Sequence, residues 1–404
     1  MDTFIARQPV FNKNMKIFGY ELLFRGGAGD KGYTGQNADQ ASSRVVMESF
    51  NSMGVENITG GKPAFINFTA NLLLQNIVTL FPKEQLVIEI LEDVEPTPEL
   101  VEVCRKLHED GYTLALDDFV YRPELDQLVE ISRIIKFDFL ACTPKEITDM
   151  IKKMNLKGKL LLAEKIETTE MFNLAAALGF TLFQGYFFAK PVTVATKNLS
   201  PLKISYIRLL KEVNERENMD FNRLAEVICY DVALSYKLLR LVNSAYYGLR
   251  SEVTDMLRAL TLLGTREIQK WIFLISVVGI SSDKPDELIK MSMIRGHFME
   301  TLNKRLRLRH SSEDVFLFGL FSMLDVLMGM PMQSALEGTY IAKSVHDALV
   351  YHTGRICDML DLVISLEQSG WEKADRLAAS MGADARIVSE EYLDAVRWCN
   401  ELQL

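Results

Sequence analysis

Short apolar runs alternate with amphipathic stretches through residues 1–190. The runs are apolar nearly throughout, as are strands buried on both faces of a parallel sheet. Helix-like segments such as Pro98–Glu109 and Thr168–Leu178 lie between them. The eight strand candidates are FIARQPV, KIFGYELLFR, AFIN (64–67), LVIE (86–89), TLALDD (113–118), IIKFD (134–138), KLLLAE (159–164) and TLFQG (181–185). Eight strands with intervening helices predict an α/β fold, a TIM-like (β/α)8 barrel.

The pattern changes at Ser200, after which helical periodicity dominates. Ser200-Pro201 fits an N-cap followed by proline at the first helical position. Amphipathic runs predict further helices at 232–245, 266–278, 284–306, 314–328, 342–350, 354–368 and 384–402. We therefore expect two domains, a barrel over residues 1–192 and an all-α helical domain over 200–404, joined by a short polar linker at 193–199.

Polar residues follow at the carboxyl ends of six of the predicted strands. In a parallel barrel these ends gather on one face, where active sites are built. A single acid in such a place fits a helix N-cap equally well, but a full series favours a site. The series is Asn67, Glu89, Asp117, Lys136, Glu164 and Gln184, spaced by 19 to 28 residues, about one βα unit each.

Charge and composition exclude several other classes of protein. The formal net charge is −9, from 45 basic and 54 acidic residues, so a large face for a nucleic-acid polymer is not expected. Five scattered cysteines without a CxxC pair fit reduced thiols in a cytoplasm. The longest apolar run, around Trp271 to Ile280, is half of the roughly 20 residues that a membrane span needs. No secretory signal pattern begins the chain. We expect a cytoplasmic protein that does not bind membranes.

An ordered set of strings in the first half resembles the EAL domains, (β/α)8-type phosphodiesterases and receptors of cyclic di-GMP. The strings are RQPV, YELLFR, AFINF, LVIEI, ALDDF, IKFD, LLAEKIE and FQGYFFAKP, and they cover residues 1–192. Glu21 takes the place of the glutamate that names the family, although Leu22 stands where the family has alanine. Each string alone is weak, but their order and spacing agree with the family.

The resemblance implies a role for each matching position. The ligands of a first Mg²⁺ or Mn²⁺ would be Glu21, Asn67, Glu89 and Asp117, and Asp117 with Asp118 would hold a second ion. Lys136 and Glu164 would position or activate the attacking water. The predicted catalytic residues are therefore Lys136, Glu164 and Glu21. The remaining matches are Gln184, Gln8 and Arg25 as ligand contacts, Arg25 on a phosphate, with Asp138 and Glu167 as supporting carboxylates. Hard cations prefer such oxygen ligands, and two of them promote phosphodiester hydrolysis.

The chain departs from the family just after the acidic pair. Active members read DDFGxG there, whereas this chain reads DDFVYRPEL, with Val120 in place of the first glycine. Glycine adopts positive φ without steric cost and a β-branched valine does not. The altered loop argues against turnover, while the retained ligand positions argue for metal and nucleotide binding.

The second half resembles HDOD domains, helical relatives of the HD phosphohydrolases. The strings that carry this resemblance are VICYDVALSYKLLRLVNSAYYG, RALTLLGTREIQKWIFL and VFLFGLFSMLDVLMGMP. Ser322 and Met323 occupy the places of the His-Asp pair, so a hydrolytic metal site is not expected here. The literal pair His346-Asp347 lies well after the aligned helix and is interpreted as a helix-surface feature rather than as ligands.

Three functions remain open from the sequence. The leading hypothesis is a signalling protein whose EAL-like barrel binds cyclic di-GMP, with hydrolysis in doubt, and whose HDOD domain relays the result to a protein partner. The second is an active phosphodiesterase that uses Mg²⁺ or Mn²⁺ and yields the linear dinucleotide, with Ca²⁺ supporting binding without turnover. The third is a protein-binding scaffold without a ligand. Because EAL domains commonly pair, a homodimer through the barrel is also expected.

Overall fold

Eight strands form a closed barrel in the first part of the chain. The structure is a computed structural model and describes residues 4–25, 55–154, 156–189, 221–229, 232–243, 253–280, 284–337 and 341–402. The strands are β1 (Phe4–Asn12), β2 (Ile17–Arg25), β3 (Ala64–Phe68), β4 (Leu86–Ile90), β5 (Thr113–Leu116), β6 (Ile134–Asp138), β7 (Leu160–Glu164) and β8 (Leu182–Gln184). All eight predicted strands are present, with bounds within two residues of those expected, and the barrel prediction is confirmed.

Helices lie in the described parts of the connections from β2 to β8. They are α1 (Val55–Thr59), α2 (Ala70–Leu74), α3 (Pro98–Glu109), α4 (Asp126–Ile131), α5 (Pro144–Lys153) and α6 (Thr169–Ala177), with 3-10 turns at Ile77–Leu80, Pro123–Leu125 and Phe187–Ala189. Threonine side chains cap several of them, and Thr143 with Glu146 forms a complete capping box at α5. Gly179, with φ 96, follows the end of α6 as its position in the sequence predicts.

The first strand departs from a uniformly parallel barrel. β1 pairs antiparallel with both β2 and β8, whereas β2 to β8 pair parallel in chain order. Only four residues (13–16) connect β1 to β2, too few for the crossover helix that parallel pairing requires. Asn12 tightens this turn, because its Oδ1 accepts hydrogen bonds from the backbone N–H groups of Asn14 and Lys16. The amino end of β1 therefore lies at the same rim as the carboxyl ends of the other strands.

One layer of side chains fills the barrel interior. Gly19 of β2, paired with Val10, completes this layer, since a Cβ there would lie 2.8 Å from the ring of Phe65. Burying this layer stabilises the fold by about 25 cal/mol for each Å² of apolar surface removed from water. The other members, each 3% exposed or less, are Val10, Phe65, Val87, Ala115, Ile134, Leu162 and Leu182.

In the later part of the chain, every regular element among the described residues is a helix. The helices are α7 (Phe221–Cys229), α8 (Val232–Val242), α9 (Met256–Ile280), α10 (Asp286–Arg305), α11 (Ser312–Phe321), α12 (Leu324–Met328), α13 (Met332–Ala335), α14 (Lys343–Tyr351), α15 (Ile356–Glu367), α16 (Trp371–Met381) and α17 (Ala385–Leu402). The single helix predicted at 314–328 is two, and α7, α13 and α16 were not predicted. Gly264 kinks α9 with φ 73, next to the predicted helix start at Thr265. Ser200-Pro201 lies outside the described residues.

The chain divides into two compact units whose bounds differ from a simple cut in the sequence. The barrel unit contains residues 1–190 together with 364–376 and 384–389, and the helical unit contains 191–363, 377–383 and 390–404. The domain bounds 1–192, 193–199 and 200–404 stay a prediction, because residues 190–220 lie outside the described part. Among the described residues, no helix is long and apolar enough to cross a membrane.

Candidate metal and phosphodiester site

The predicted site residues form the layer directly above the core layer. Side chains two positions apart on a strand share a face, so each strand carries a core residue and then a polar residue on its inner side. Glu21 follows Gly19 in this way, and Gln8 precedes Val10 on the antiparallel strand. The same step of two leads to Asn67, Glu89, Asp117, Lys136, Glu164 and Gln184 from the core residues of β3 to β8.

Lys136 lies at the centre of this layer and is 1% exposed. Its ammonium contacts carboxylates from four other strands. The distances from Nζ are 2.5 Å to Glu89 Oε1, 2.7 Å to Asp117 Oδ1, 2.9 Å to Glu164 Oε1 and 3.6 Å to Glu21 Oε2. Glu89 is completely buried, and Glu21 and Glu164 are nearly so. The cluster therefore sits in a medium that favours neutralised charge.

The ionisation of the cluster reflects this crowding. Burial lowers the pKa of the Lys136 ammonium, but the surrounding carboxylates outweigh it and raise that pKa well above its ordinary value. Burial raises the pKa of the Glu89 carboxyl well above its ordinary range, and the neighbouring Glu21 adds to the rise. Burial also raises the pKa of Glu164 to about 8. One ammonium does not balance four carboxylates, so the site favours additional protons or cations.

Three amides border the carboxylates. Asn67 Nδ2 lies 3.5 Å from Glu21 Oε1, and Gln184 Nε2 donates to Glu21 Oε2 at 2.6 Å. The same Gln184 nitrogen donates to Gln8 Oε1 at 2.9 Å. These hydrogen bonds fix the orientation of Glu21, which the register already places opposite Gln8.

The oxygen atoms suit hard divalent cations. Carboxylate oxygens of Glu21, Glu89 and Asp117 lie within 4.8 Å of one another, and so do those of Asp117, Asp118 and Glu164. Asp117 belongs to both groups, as expected of a carboxylate shared by two ions. Asn67 Oδ1 is buried without a hydrogen-bond partner, which makes it available as a further oxygen ligand. The donor set fits Mg²⁺ or Mn²⁺.

The loop after the acidic pair keeps both carboxylates at the rim although the glycine is missing. Asp118, not Val120, has the positive φ, at 38°, and the Phe119 N–H donates to the Lys136 carbonyl at 3.0 Å. Val120 is 57% exposed, and the Arg122 guanidinium donates to the Glu92 carbonyl. The loop thus takes a course that a valine can adopt, beside a cavity of about 180 Å³ lined in part by the acidic pair.

Lys165 was not among the site residues predicted from the sequence, although it directly follows Glu164 at the end of β7. Its ammonium lies 2.5 Å from Asp138 Oδ2 and 3.8 Å from Asp118 Oδ1, and its φ is 54°. Asp138 also accepts hydrogen bonds from the backbone N–H groups of Leu140 and Ala141. Burial raises the pKa of Asp138, but these bonds and Lys165 lower it below its ordinary value. Asp138 is therefore held ionised beside Lys165, which also lies near Asp118.

One predicted residue stands apart from the cluster, and the side chain of a second is not described. Glu167 lies beyond β7 and is exposed. Arg25 ends β2, but its side chain lies outside the described residues. The phosphate contact that the resemblance implies for Arg25 stays a prediction.

The residues that replace the His-Asp pair in the helical unit have structural contacts. Ser322 Oγ donates to the Gly319 carbonyl and accepts from Arg295 at 3.1 Å. Met323 is 1% exposed. His346 Nδ1 lies 3.3 Å from the carboxylate of its neighbour Asp347. In the described part of the chain, the groups of three acidic residues able to hold a metal all lie in the barrel.

The fold and the site together define a class of proteins. Its members have a barrel with one antiparallel strand, and carboxylates around a buried lysine at the strand ends supply oxygen ligands for metal ions. The EAL domain family model matches residues 3–191, and the HDOD domain model matches residues 199–343. The chain therefore belongs to the family in which an EAL domain is followed by an HDOD domain. The resemblance seen in the sequence is confirmed for both halves.

Two relatives align over nearly the whole chain. The uncharacterized protein YuxH of Bacillus subtilis is 36% identical over 410 residues, covering 100% of this chain and 99% of YuxH. Cyclic di-GMP phosphodiesterase CdgJ of Vibrio cholerae is 34% identical over 402 residues, covering 99% of this chain and 93% of CdgJ. Among solved structures, a manganese and cyclic di-GMP complex of Klebsiella pneumoniae BlrP1 is 19% identical, with a TM-score of 0.39, over 46% of this chain and 55% of BlrP1.

Proposed function

We propose that the barrel binds cyclic di-GMP with divalent metal ions and hydrolyses one of its two phosphodiester bonds to give the linear dinucleotide. The observation that carries this proposal is the two groups of three acidic residues, which have Asp117 in common. Asn67 Oδ1, buried without a hydrogen-bond partner, offers a further oxygen ligand. The full-length likeness to CdgJ, which is a cyclic di-GMP phosphodiesterase, supports it. Mg²⁺ or Mn²⁺ is the cofactor we propose, with Ca²⁺ allowing binding without turnover.

The residues have distinct roles in this reaction. Glu21, Asn67, Glu89 and Asp117 would hold one ion and Asp117, Asp118 and Glu164 the other; bound ions supply positive charge that promotes attack of water on phosphorus. Burial raises the pKa of Glu164 to about 8 without ions, whereas bound cations would favour its ionised form, which would orient the attacking water.

Charge stabilisation falls to the groups around the phosphate. Lys136, held cationic by its carboxylates, stabilises the charge that develops on the phosphate oxygens as the P–O bond to the leaving oxygen breaks. Gln184 and Gln8 orient Glu21. Arg25 at the end of β2 would contact a phosphate, for which a planar fork of donors is suited.

Binding without hydrolysis is the second candidate, and the altered loop favours it. Val120 replaces the glycine of active family members, and its backbone does not have positive φ. If this path of the loop keeps Asp117, Asp118 and Glu164 from holding the second ion, the protein acts as a receptor of the nucleotide. In either case we propose that the HDOD domain relays the state of the barrel to a protein partner, that the barrel supports a homodimer, and that the protein acts in the cytoplasm.

A paired assay separates these functions. The full chain is incubated with cyclic di-GMP and Mn²⁺ while the linear dinucleotide is followed, and nucleotide binding is measured by calorimetry in Ca²⁺. We expect product from the native chain, a loss of about 100-fold or more in Glu21→Gln, and no change in Glu109→Gln, which removes an exposed carboxylate at the end of α3. Binding in Ca²⁺ without product in Mn²⁺ would establish the receptor. Neither binding nor product would leave only the scaffold hypothesis.

A further inference from the structure

The turn that follows α15 contacts the same glutamine that borders the candidate site. Gln8 Nε2 donates to Ser369 Oγ at 3.1 Å and lies 3.3 Å from the Glu367 carbonyl oxygen. All three residues belong to the barrel unit. At its other end, Gln8 Oε1 accepts from Gln184, which donates to Glu21. A continuous series of hydrogen bonds therefore runs from this turn to a carboxylate of the site.

The turn determines which way the Gln8 amide faces. A carboxamide has donors at its nitrogen and acceptors at its oxygen. The Glu367 carbonyl can only accept, so it requires the nitrogen, and the Ser369 hydroxyl accepts from the same nitrogen. Gln8 Oε1 must then face Gln184, which in turn must present its own Nε2. That nitrogen has a second hydrogen, and it is the one donated to Glu21. The Glu21 carboxylate accepts at the opposite end, so both ends set the direction of the series. Losing the Ser369 hydroxyl removes the shorter of the two contacts that hold the Gln8 nitrogen at the turn.

Residues late in the chain also hold the strand that carries Gln8. The ring of Phe4 stacks on Trp371 with centroids 6.0 Å apart, and the Ile5 N–H donates to Ser389 Oγ at 3.2 Å. Phe4 and Ile5 are both buried. Because β1 is the antiparallel strand between β2 and β8, these contacts and the turn fix its amino end at the rim.

The backbone of the turn indicates that Ser369 is there for its hydroxyl. The Gly370 N–H bonds to the Ser365 carbonyl and the Ser369 N–H to the Leu366 carbonyl, the two bonds of a Schellman motif. In that motif the residue at the position of Ser369 adopts left-handed φ and is most often glycine. Ser369 has φ 56. A serine at this position has backbone strain that a glycine would not have. Its hydroxyl accepts a hydrogen bond from Gln8 Nε2.

We propose that Ser369 is a positioning residue for the barrel site, which it serves by orienting Gln8 and, through Gln184, Glu21. This inference rests on the proposed binding of cyclic di-GMP by the barrel. Ser369 lies far beyond the EAL match at residues 3–191, yet in this proposal it helps to set the geometry of the barrel site.

The test uses Ser369→Gly in the full chain, because glycine removes the hydroxyl and relieves the positive φ. We expect the Tm to stay the same or rise while the Kd for cyclic di-GMP in Ca²⁺ weakens about three- to tenfold, as for one lost hydrogen bond. Ser369→Ala should show the same loss of affinity with a lower Tm. Ser369→Asn, which tolerates left-handed φ and offers a side-chain oxygen, should restore part of the affinity.

Two comparisons make the outcome specific. Ser380→Ala, which removes an exposed hydroxyl bonded only within α16, should leave the affinity unchanged. In a Gln8→Ala background, Ser369→Gly should have no further effect on affinity. Native affinity in Ser369→Gly, or an undiminished effect without Gln8, would overturn the inference while the proposed function stands. A native chain that does not bind the nucleotide would overturn both.

Discussion

Single side chains acquire their chemistry here from the layer they occupy. Leu162 is part of the apolar core layer, and Glu164, two positions further on the same strand, belongs to the polar cluster. Lysine is rarely fully buried unless it is paired, and Lys136 is paired with carboxylates from four other strands. Its ammonium is the positive charge that makes the described cluster tolerable within the barrel.

Replacing this lysine tests that balance. In the presence of a chelator, Lys136→Gln should lower the free energy of unfolding by on the order of 3 kcal/mol, because buried carboxylates lose their counter-charge. Saturating Mn²⁺ should then stabilise the variant more than it stabilises the native chain. Urea unfolding with chelator and with Mn²⁺ measures both effects. Lys145→Gln, at an exposed position of α5, is the matched control, and equal stability of the two variants in chelator would contradict this account.

At the scale of elements, α10 shows how a buried charge is tolerated in the helical unit. Glu300 of α10 is 3% exposed. The Lys270 ammonium of α9 lies 2.6 Å from it, and Lys304, one turn further along α10, lies 2.8 Å away. Burial raises the pKa of Glu300, but the hydrogen bonds from Lys270 and the charge of both lysines lower it below its ordinary value.

This pairing predicts a pH-dependent contribution to stability. A carboxyl with a lowered pKa in the folded state stabilises the protein above its unfolded pKa of about 4.3. That contribution is lost as the pH falls through the lower folded pKa. Glu300→Gln should therefore cost on the order of 3 kcal/mol at pH 7, with a difference from the native chain that shrinks below pH 4. Urea unfolding from pH 7 to pH 3 measures it. Glu337→Gln, at an exposed position, should match the native chain, and a gap that persists at pH 3 would argue against the ionised pair.

At the scale of the whole molecule, the order of residues and the compact units do not coincide. Residues 364–376 and 384–389 belong with the barrel, although the EAL match ends at residue 191. The chain thus returns to its first strand after most of the helices of the second unit. This return brings Trp371, Ser369 and Ser389 to β1.

Removing one of these contacts should weaken the barrel unit. Trp371→Ala exposes Phe4, which is 1% accessible, and should lower the free energy of unfolding by about 3 kcal/mol. Tyr351→Ala truncates an aromatic side chain that is 64% exposed and should change stability by less than about 0.5 kcal/mol. Thermal unfolding monitored by circular dichroism compares the two, and similar melting temperatures would speak against a structural role of this segment.

The sequence predicted most of the barrel and the positions of the clustered side chains for a local reason. Each strand is a short apolar run that ends in a polar residue, and the period of two places Asn67 and Glu89 on one face. Features that depend on distant residues were not predictable in this way. The return of residues 364–376 to β1 has no local pattern, and α16 has a small-residue apolar face at Ala374 and Ala378. Lys165 reads as an ordinary exposed lysine until the fold places it beside Asp138.

The central claim is that oxygen ligands from separate strands bind divalent ions at the barrel rim. Crystals of the full chain grown with Mn²⁺ and cyclic di-GMP, measured at the manganese absorption edge, test it most directly. We predict one anomalous peak among Glu21, Asn67, Glu89 and Asp117, and a second among Asp117, Asp118 and Glu164. An ordered rim that shows no anomalous peak at these side chains under saturating Mn²⁺ would contradict the claim.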